Sequence, residues 1–206
     1  MNNSMEIDYF NKLNEISDVS RETCKNLENY VTLLLEHNKK LNLIGSGTLP
    51  HIWQRHIIDS LQLAKYLSKD LTIVDFGSGA GLPGLILSII GYDVVSVESI
   101  AKKANFQKEV AKQLGLKICV LNKRIEDVTI KNDYILTARA VAPLTKLFNL
   151  SSNLLNNKHK AVFMKGKNYK NEILDAEKSW QFNYKTYKSI TSDESVILEI
   201  SKLKWK

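Results

Sequence analysis

The chain has 206 residues, 44% of them hydrophobic and 25% charged, which suits one substantial core with a small accessory unit and leaves too little for two full domains. No apolar run approaches the ~20 residues of a membrane span, and the opening Met1-Asn2-Asn3-Ser4-Met5-Glu6 lacks a basic-then-apolar signal, so a soluble cytoplasmic protein is expected. A formal charge of +7 favours a polyanionic partner such as nucleic acid, and two distant cysteines, Cys24 and Cys119, argue against a disulfide framework or a metal site.

Residues 1–68 read as a helical extension packed on a main unit spanning 69–206. Leu27, Tyr30, Val31, Leu34 and Asn38 recur at helical spacing on one face. The stretch Leu41-Asn42-Leu43-Ile44-Gly45-Ser46-Gly47-Thr48-Leu49-Pro50 interrupts the pattern. A further helix then carries Arg55, His56, Asp59 and Ser60, with Ile52, Ile57, Leu61 and Leu63 facing the unit behind.

From Leu71 onward strands and helices alternate. Strands are expected near 71–75, 93–98, 117–121, 133–138 and 160–165, with helices near 83–90, 101–114, 143–155 and 169–179, and two closing strands near 181–190 and 195–202. That order predicts an α/β Rossmann-like fold: a mostly parallel sheet, helices on both faces and a hairpin-like end. Ligands of such sheets bind beyond the carboxyl ends of the strands.

The first strand runs into Asp75-Phe76-Gly77-Ser78-Gly79-Ala80-Gly81-Leu82-Pro83-Gly84, a glycine turn that lets the backbone bend sharply and approach a ligand. Gly79 to Gly84 also satisfy the dinucleotide pattern G-x-G-x-x-G, whose amides hold a pyrophosphate. Pro83 removes one such amide. Asp75, an acid at the strand end, suits a ligand carrying ammonium and sulfonium charge better than one carrying two phosphates. These details favour S-adenosylmethionine over a nicotinamide dinucleotide.

Later strand ends add candidates. Glu98 ends the second strand about 20 residues on, where a carboxylate can accept both ribose hydroxyls, a feature common to both cofactors. After the third strand, Ile125 and Glu126 offer an apolar wall and an acceptor for an adenine ring; acids capping a helix start are the other reading. Four of the 29 basic residues are arginine, and Arg55, Arg124 and Arg139 sit beside these motifs. Arg139 suits a carboxylate or phosphate, or a salt bridge inside the protein. Lys165, before Gly166, could grip a phosphate or a base carbonyl, or be solvated.

Leu41-Asn42-Leu43, Arg55-His56-Ile57-Ile58-Asp59-Ser60-Leu61, the turn Asp75 to Gly84, Arg124-Ile125-Glu126, Ala138-Arg139-Ala140 and Met164-Lys165-Gly166, taken in order, resemble the bacterial small-subunit ribosomal RNA guanine-N7 methyltransferase family, also called the glucose-inhibited division protein B family. The resemblance covers most of the chain. It implies methylation of a guanine in the decoding-region loop of 16S rRNA, within the small ribosomal subunit or its precursor, and cofactor contacts at Gly77, Leu82, Ile125, Glu126 and Arg139. Asp75, Gly79 and Glu98 join the cofactor set; Arg55, His56, Arg124 and Lys165 are the RNA candidates. This chain departs from the pattern at Phe76, Glu98, Ala138 and Val141. Nitrogen 7 of guanine has an in-plane lone pair and no proton, so no general base is needed, and Arg139 and Lys165 are expected to act by positioning. A nicotinamide-dependent oxidoreductase and a non-catalytic RNA-binding module are the rival readings.

Overall fold

The computed structural model describes residues 19–155 and 158–206, so the helical expectation for residues 1–18 lies outside them. Helix α1, Arg21–Leu41, starts where the Ser20 hydroxyl accepts the Thr23 amide at 3.1 Å and stops at Asn42, which takes a left-handed φ of 48°. Its buried face is Leu27, Tyr30, Val31, Leu34 and Asn38, the set given by the helical spacing.

The second expected helix is irregular. A 3₁₀ turn, Ser46–His51, contains Pro50; a π turn, Trp53–Ile58, follows, then a single α turn, α2 (Asp59–Leu61), and a 3₁₀ turn, Gln62–Tyr66. Apolar periodicity does not distinguish these windings, because all bury a stripe every three to five residues. The arrangement brings the Arg55 carbonyl, His56 and Asp59 to one side, where Arg139 meets all three. Such π turns concentrate at functional sites.

Seven strands form one sheet: β1 (Thr72–Phe76), β2 (Val94–Val97), β3 (Ile118–Leu121), β4 (Tyr134–Arg139), β5 (Lys160–Lys165), β6 (Trp180–Lys188) and β7 (Val196–Trp205). Their order is β3-β2-β1-β4-β5-β7-β6, with β1 to β5 pairing in parallel and β7 antiparallel to both β5 and β6. Between them run α3 (Gly84–Ile89), α4 (Ala101–Gln113), α5 (Leu144–Ser151) and α6 (Tyr169–Glu177). The strands and helices expected from Leu71 onward are all present; α5 is shorter than expected and the closing hairpin begins earlier and ends later.

Side-chain alternation divides the core. Ile73, Val94, Ile135, Val162 and Ile197 face a cluster with α1, the irregular helical segment, α3 and α4. Val74, Phe76, Leu136, Phe163 and Leu198 face the other, with α5 and α6. Burial on both faces explains why the parallel strands read as continuous apolar runs. Among the described residues no helix is long and apolar enough to cross a membrane. The strand order reverses between β1 and β4, which places a crevice where Gly77 follows β1 and Ala140 follows β4.

Candidate active site

The turn after β1 is built around close approaches. Gly77 has a φ of +64°, and a Cβ there would lie 2.6 Å from Val141 Cγ2. Gly84 opens α3 so near Asp75 that a Cβ would fall 2.8 Å from the carboxylate. Asp75 is fully buried; Oδ2 accepts the Gly84 amide at 2.9 Å and Oδ1 accepts the Thr137 hydroxyl at 3.2 Å. Burial pushes its pKa up to about 7, against the opposing pull of the Gly84 amide, Thr137 and Arg139. The structure thus turns Asp75 inward, where it pins the turn, instead of presenting it to a cationic ligand.

Most of the turn amides are occupied. Gly77 donates to the Val97 carbonyl, Gly79 to Glu98 Oε2, Gly81 and Leu82 to the Ser78 carbonyl, and Leu85 to the Gly81 carbonyl. With Gly84 committed to Asp75, the amides that would cradle a pyrophosphate are spent inside the protein. Leu82 is buried in the core with α1 and α3.

Residues that sequence reasoning missed brace this turn from behind. The Tyr30 hydroxyl, on α1, donates to the Ala80 carbonyl at 3.0 Å. Ser96 Oγ donates to Gln107 Oε1 and pairs with the Ser78 hydroxyl, and the Gln107 amide donates to Ser78 Oγ and the Gly79 carbonyl. Tyr30 had been legible only as a core position, and Gln107 carries no local signal.

Two clefts open at the carboxyl edge of the sheet. The first, of about 110 Å³, is lined by Gly77, Val97, Ser99, Arg124, Ile125, Glu126 and Val141, among others. Ile125 is buried as a wall, while Arg124 and Glu126 are exposed. Asn153 fixes their turn by donating to the Glu126 and Val128 carbonyls at 3.2 and 3.1 Å. Glu98 stands behind this cleft, its oxygens taken by the Gly79 and Ile100 amides, both at 2.8 Å.

The second cleft, about 330 Å³, lies between the irregular helical segment and the ends of β4, β5 and β7. Met164, Val196 and Ile197 give it apolar walls, and Arg55, Arg139, Ser189 and Ser195 give it polar ones. Arg139 Nη1 donates to the Arg55 carbonyl and to Asp59 Oδ2, each at 3.1 Å, and Nη2 to His56 Nδ1 at 2.5 Å. Burial first, then the Arg139 and Arg55 charges, hold His56 down to a pKa of about 4, so the ring is neutral. Nδ1 therefore accepts and Nε2 donates to Thr48 Oγ1 at 2.8 Å. Burial raises the Asp59 pKa against the pull of Arg139; its Oδ1 accepts from Gln62 and Thr191, which latches the β6–β7 loop to α2.

Lys165 corrects its expectation. It is buried, neither a rim cation nor solvated: Nζ meets Glu172 Oε2 at 2.5 Å and donates to the Ala142 carbonyl at 2.9 Å. A lysine can be buried here because a carboxylate and a carbonyl replace its water. Arg139 likewise adopts the internal salt bridge. The structure gathers Gly77, Arg124, Ile125 and Glu126 in the first cleft and Arg55, His56, Arg139 and Lys165 in the second. The segment after β4 divides them: Ala140, at a φ of 53°, lines the second and Val141 the first. A left-handed non-glycine residue costs of the order of 1–3 kcal/mol, a strain typical of functional sites.

Comparison with known proteins places this geometry. Residues 23–200 match the family model described as rRNA small subunit methyltransferase G. The ribosomal RNA small subunit methyltransferase G of Orientia tsutsugamushi is 44% identical over 190 residues, covering 91% of this chain and 95% of that protein. Among solved structures, the ribosomal protein L11 methylase of Lactobacillus delbrueckii subsp. bulgaricus superposes with a TM-score of 0.57 at 20% identity, over 72% of this chain and 78% of that one. A SAM-dependent methyltransferase of Aquifex aeolicus gives 0.54 at 13% identity, over 75% and 93%. At those identities the structures establish a shared fold.

Proposed function

Because this chain belongs to the rRNA small subunit methyltransferase G family, we propose that it transfers a methyl group from S-adenosylmethionine to nitrogen 7 of a guanine in the decoding-region loop of 16S rRNA. The observation that carries this reading is the pair of clefts at the switch point, separated only by the segment after β4. One cleft seats the methyl donor and the other the base.

The donor supplies a methyl group activated by its sulfonium, and the residues of the first cleft fit it. Gly77 lines it without a side chain of its own, Ile125 provides a flat apolar wall, and Glu126 stands exposed as an acceptor for an exocyclic amine. Asp75 and Glu98 hold the turn from inside, together with Gly79, whose amide Glu98 binds. The second cleft, at about 330 Å³, is large enough for an extruded base between Met164, Val196 and Ile197.

A guanine nitrogen needs alignment and no deprotonation, so the protein's chemical task is placement. Arg139 and Lys165 perform it by fixing the walls of the two clefts, and Arg139 adds positive charge that His56 and Asp59 orient. Arg55 and Arg124, both exposed, meet phosphates of the RNA. Residues 1–68 serve as an extension of the methyltransferase unit 69–206, in the cytoplasm, with the small subunit or its precursor as partner.

The test is to incubate the protein with labelled S-adenosylmethionine and unmodified small subunits and map the label by nuclease digestion and mass spectrometry. A label at guanine N7 in the decoding-region loop supports the reading; label elsewhere, or none, overturns it. Calorimetric titration separates the rivals: a nicotinamide enzyme binds NADH, and a non-catalytic RNA-binding module binds RNA without S-adenosylmethionine.

A further inference from the structure

The segment that divides the clefts, residues 140–143, is held from outside by one side chain that plays no part in the proposed chemistry. Glu172, on α6, receives both the Leu144 amide, at 2.9 Å, and the Lys165 ammonium, at 2.5 Å, on the same oxygen. Lys165 reaches onward to the Ala142 carbonyl. The middle and the far end of the segment therefore depend on a single carboxylate, whose side chain is only 17% exposed.

What the segment presents is Val141. Its Cγ2 stands where a Cβ of Gly77 would meet it at 2.6 Å, over the bare backbone that a ligand must approach. The cleft around it measures about 110 Å³, well under the roughly 300–1,000 Å³ usual for small-molecule sites. Val141 thus narrows the seat, and a shift of the segment would widen it.

We infer that Glu172 is a positioning residue for the cofactor seat: through Lys165 and the Leu144 amide it sets the segment that carries Val141 over Gly77. The nature of the ligand rests on the methyltransferase reading; the control of the segment by Glu172 does not. When only a fraction of molecules holds the seat open, apparent affinity falls by that fraction. Loosening the segment thus strengthens cofactor binding, while its loss of order misaligns donor and acceptor and slows transfer.

Glu172→Gln keeps the length of the side chain and an oxygen for the Leu144 amide but removes the charge opposite Lys165. In this variant, hydrogen exchange of the Val141, Ala142 and Leu144 amides rises about tenfold while β1 and β4 keep their protection. The dissociation constant for S-adenosylmethionine falls about fivefold. On unmodified small subunits kcat drops about tenfold with KM within about twofold, a split that general destabilisation does not produce. Val141→Ala tightens cofactor binding alone, and the double variant binds no more tightly than the better single one, because both relieve one obstruction. Unchanged exchange in the segment, weaker cofactor binding in either single variant, or additive effects overturn the inference. Should Glu172→Gln raise exchange throughout the chain, the Val141→Ala measurement decides. Should the wild-type protein bind no S-adenosylmethionine, the methyltransferase reading fails separately, and the exchange pattern still shows whether Glu172 governs the segment.

Discussion

The Asp75 carboxylate and the Gly84 amide, nine residues apart, meet at 2.9 Å inside the turn and close it on the start of α3. Gly84 has no side chain to prevent the contact, and Asp75 is closed off from bulk solvent. The glycine turn is therefore tightened by an acid enclosed within the protein.

That burial makes stability depend on pH. Asp75 rises from an ordinary 3.8 to about 7 on folding, so between those values the folded chain holds a proton that the unfolded chain has released. Its contribution to stability consequently falls as pH rises through this window and is flat above it. Asp75→Asn removes the dependence. Thermal denaturation should show the wild type losing about 5 °C relative to the variant between about pH 4.5 and pH 7.5; parallel curves refute the assignment.

His56 acts in the opposite sense. Its pKa drops from 6.5 to about 4, so the unfolded chain takes up a proton first as pH falls, and stability is lost from about pH 6.5 downward. His56→Gln, which retains an acceptor for Arg139, should flatten this acid limb. Denaturant unfolding at about pH 5 and pH 7.5 compares the two, and an unchanged acid limb would mean that the ring is protonated in the folded protein.

Tyr30→Phe removes the hydroxyl that satisfies the Ala80 carbonyl. The expected loss is about 1–2 kcal/mol of stability, the usual result of leaving a buried polar group unpaired. Weaker binding of S-adenosylmethionine should accompany it, because the turn is then braced only from β2 and α4. Calorimetry and urea unfolding on the same preparation measure both.

Arg55→Ala and Arg124→Ala each delete an exposed cation beside a cleft. If each neutralises a phosphate, each substitution lowers the slope of log affinity against log salt by about one, and Arg55→Ala, away from the first cleft, leaves cofactor binding unchanged. Filter binding of small-subunit RNA at several salt concentrations gives the slopes. Identical slopes in wild type and variants place the RNA elsewhere.

The strand positions and the glycine turn were legible because each is local: apolar runs, glycines at fixed intervals and an acid at a strand end lie within a dozen residues. The site's supports were not. Tyr30 meets Ala80 across 50 positions, Gln62 meets Ser189 across 127, and Lys165, at the end of β5, owes its buried state to Glu172 on α6. No spacing announces such partners. The winding of residues 46–66 was hidden for a different reason, since 3₁₀, α and π turns can bury the same apolar stripe.

The position of β7 has a consequence for how the sheet is assembled. It pairs on one side with β5 and on the other with β6, although β6 precedes it in the chain. During synthesis β6 emerges with no place to pair until β7 follows. Until then the β5 edge is bare as well. Shortening the chain before Val196 would therefore cost two strands for the loss of one, and leave an open, aggregation-prone edge beside Lys165.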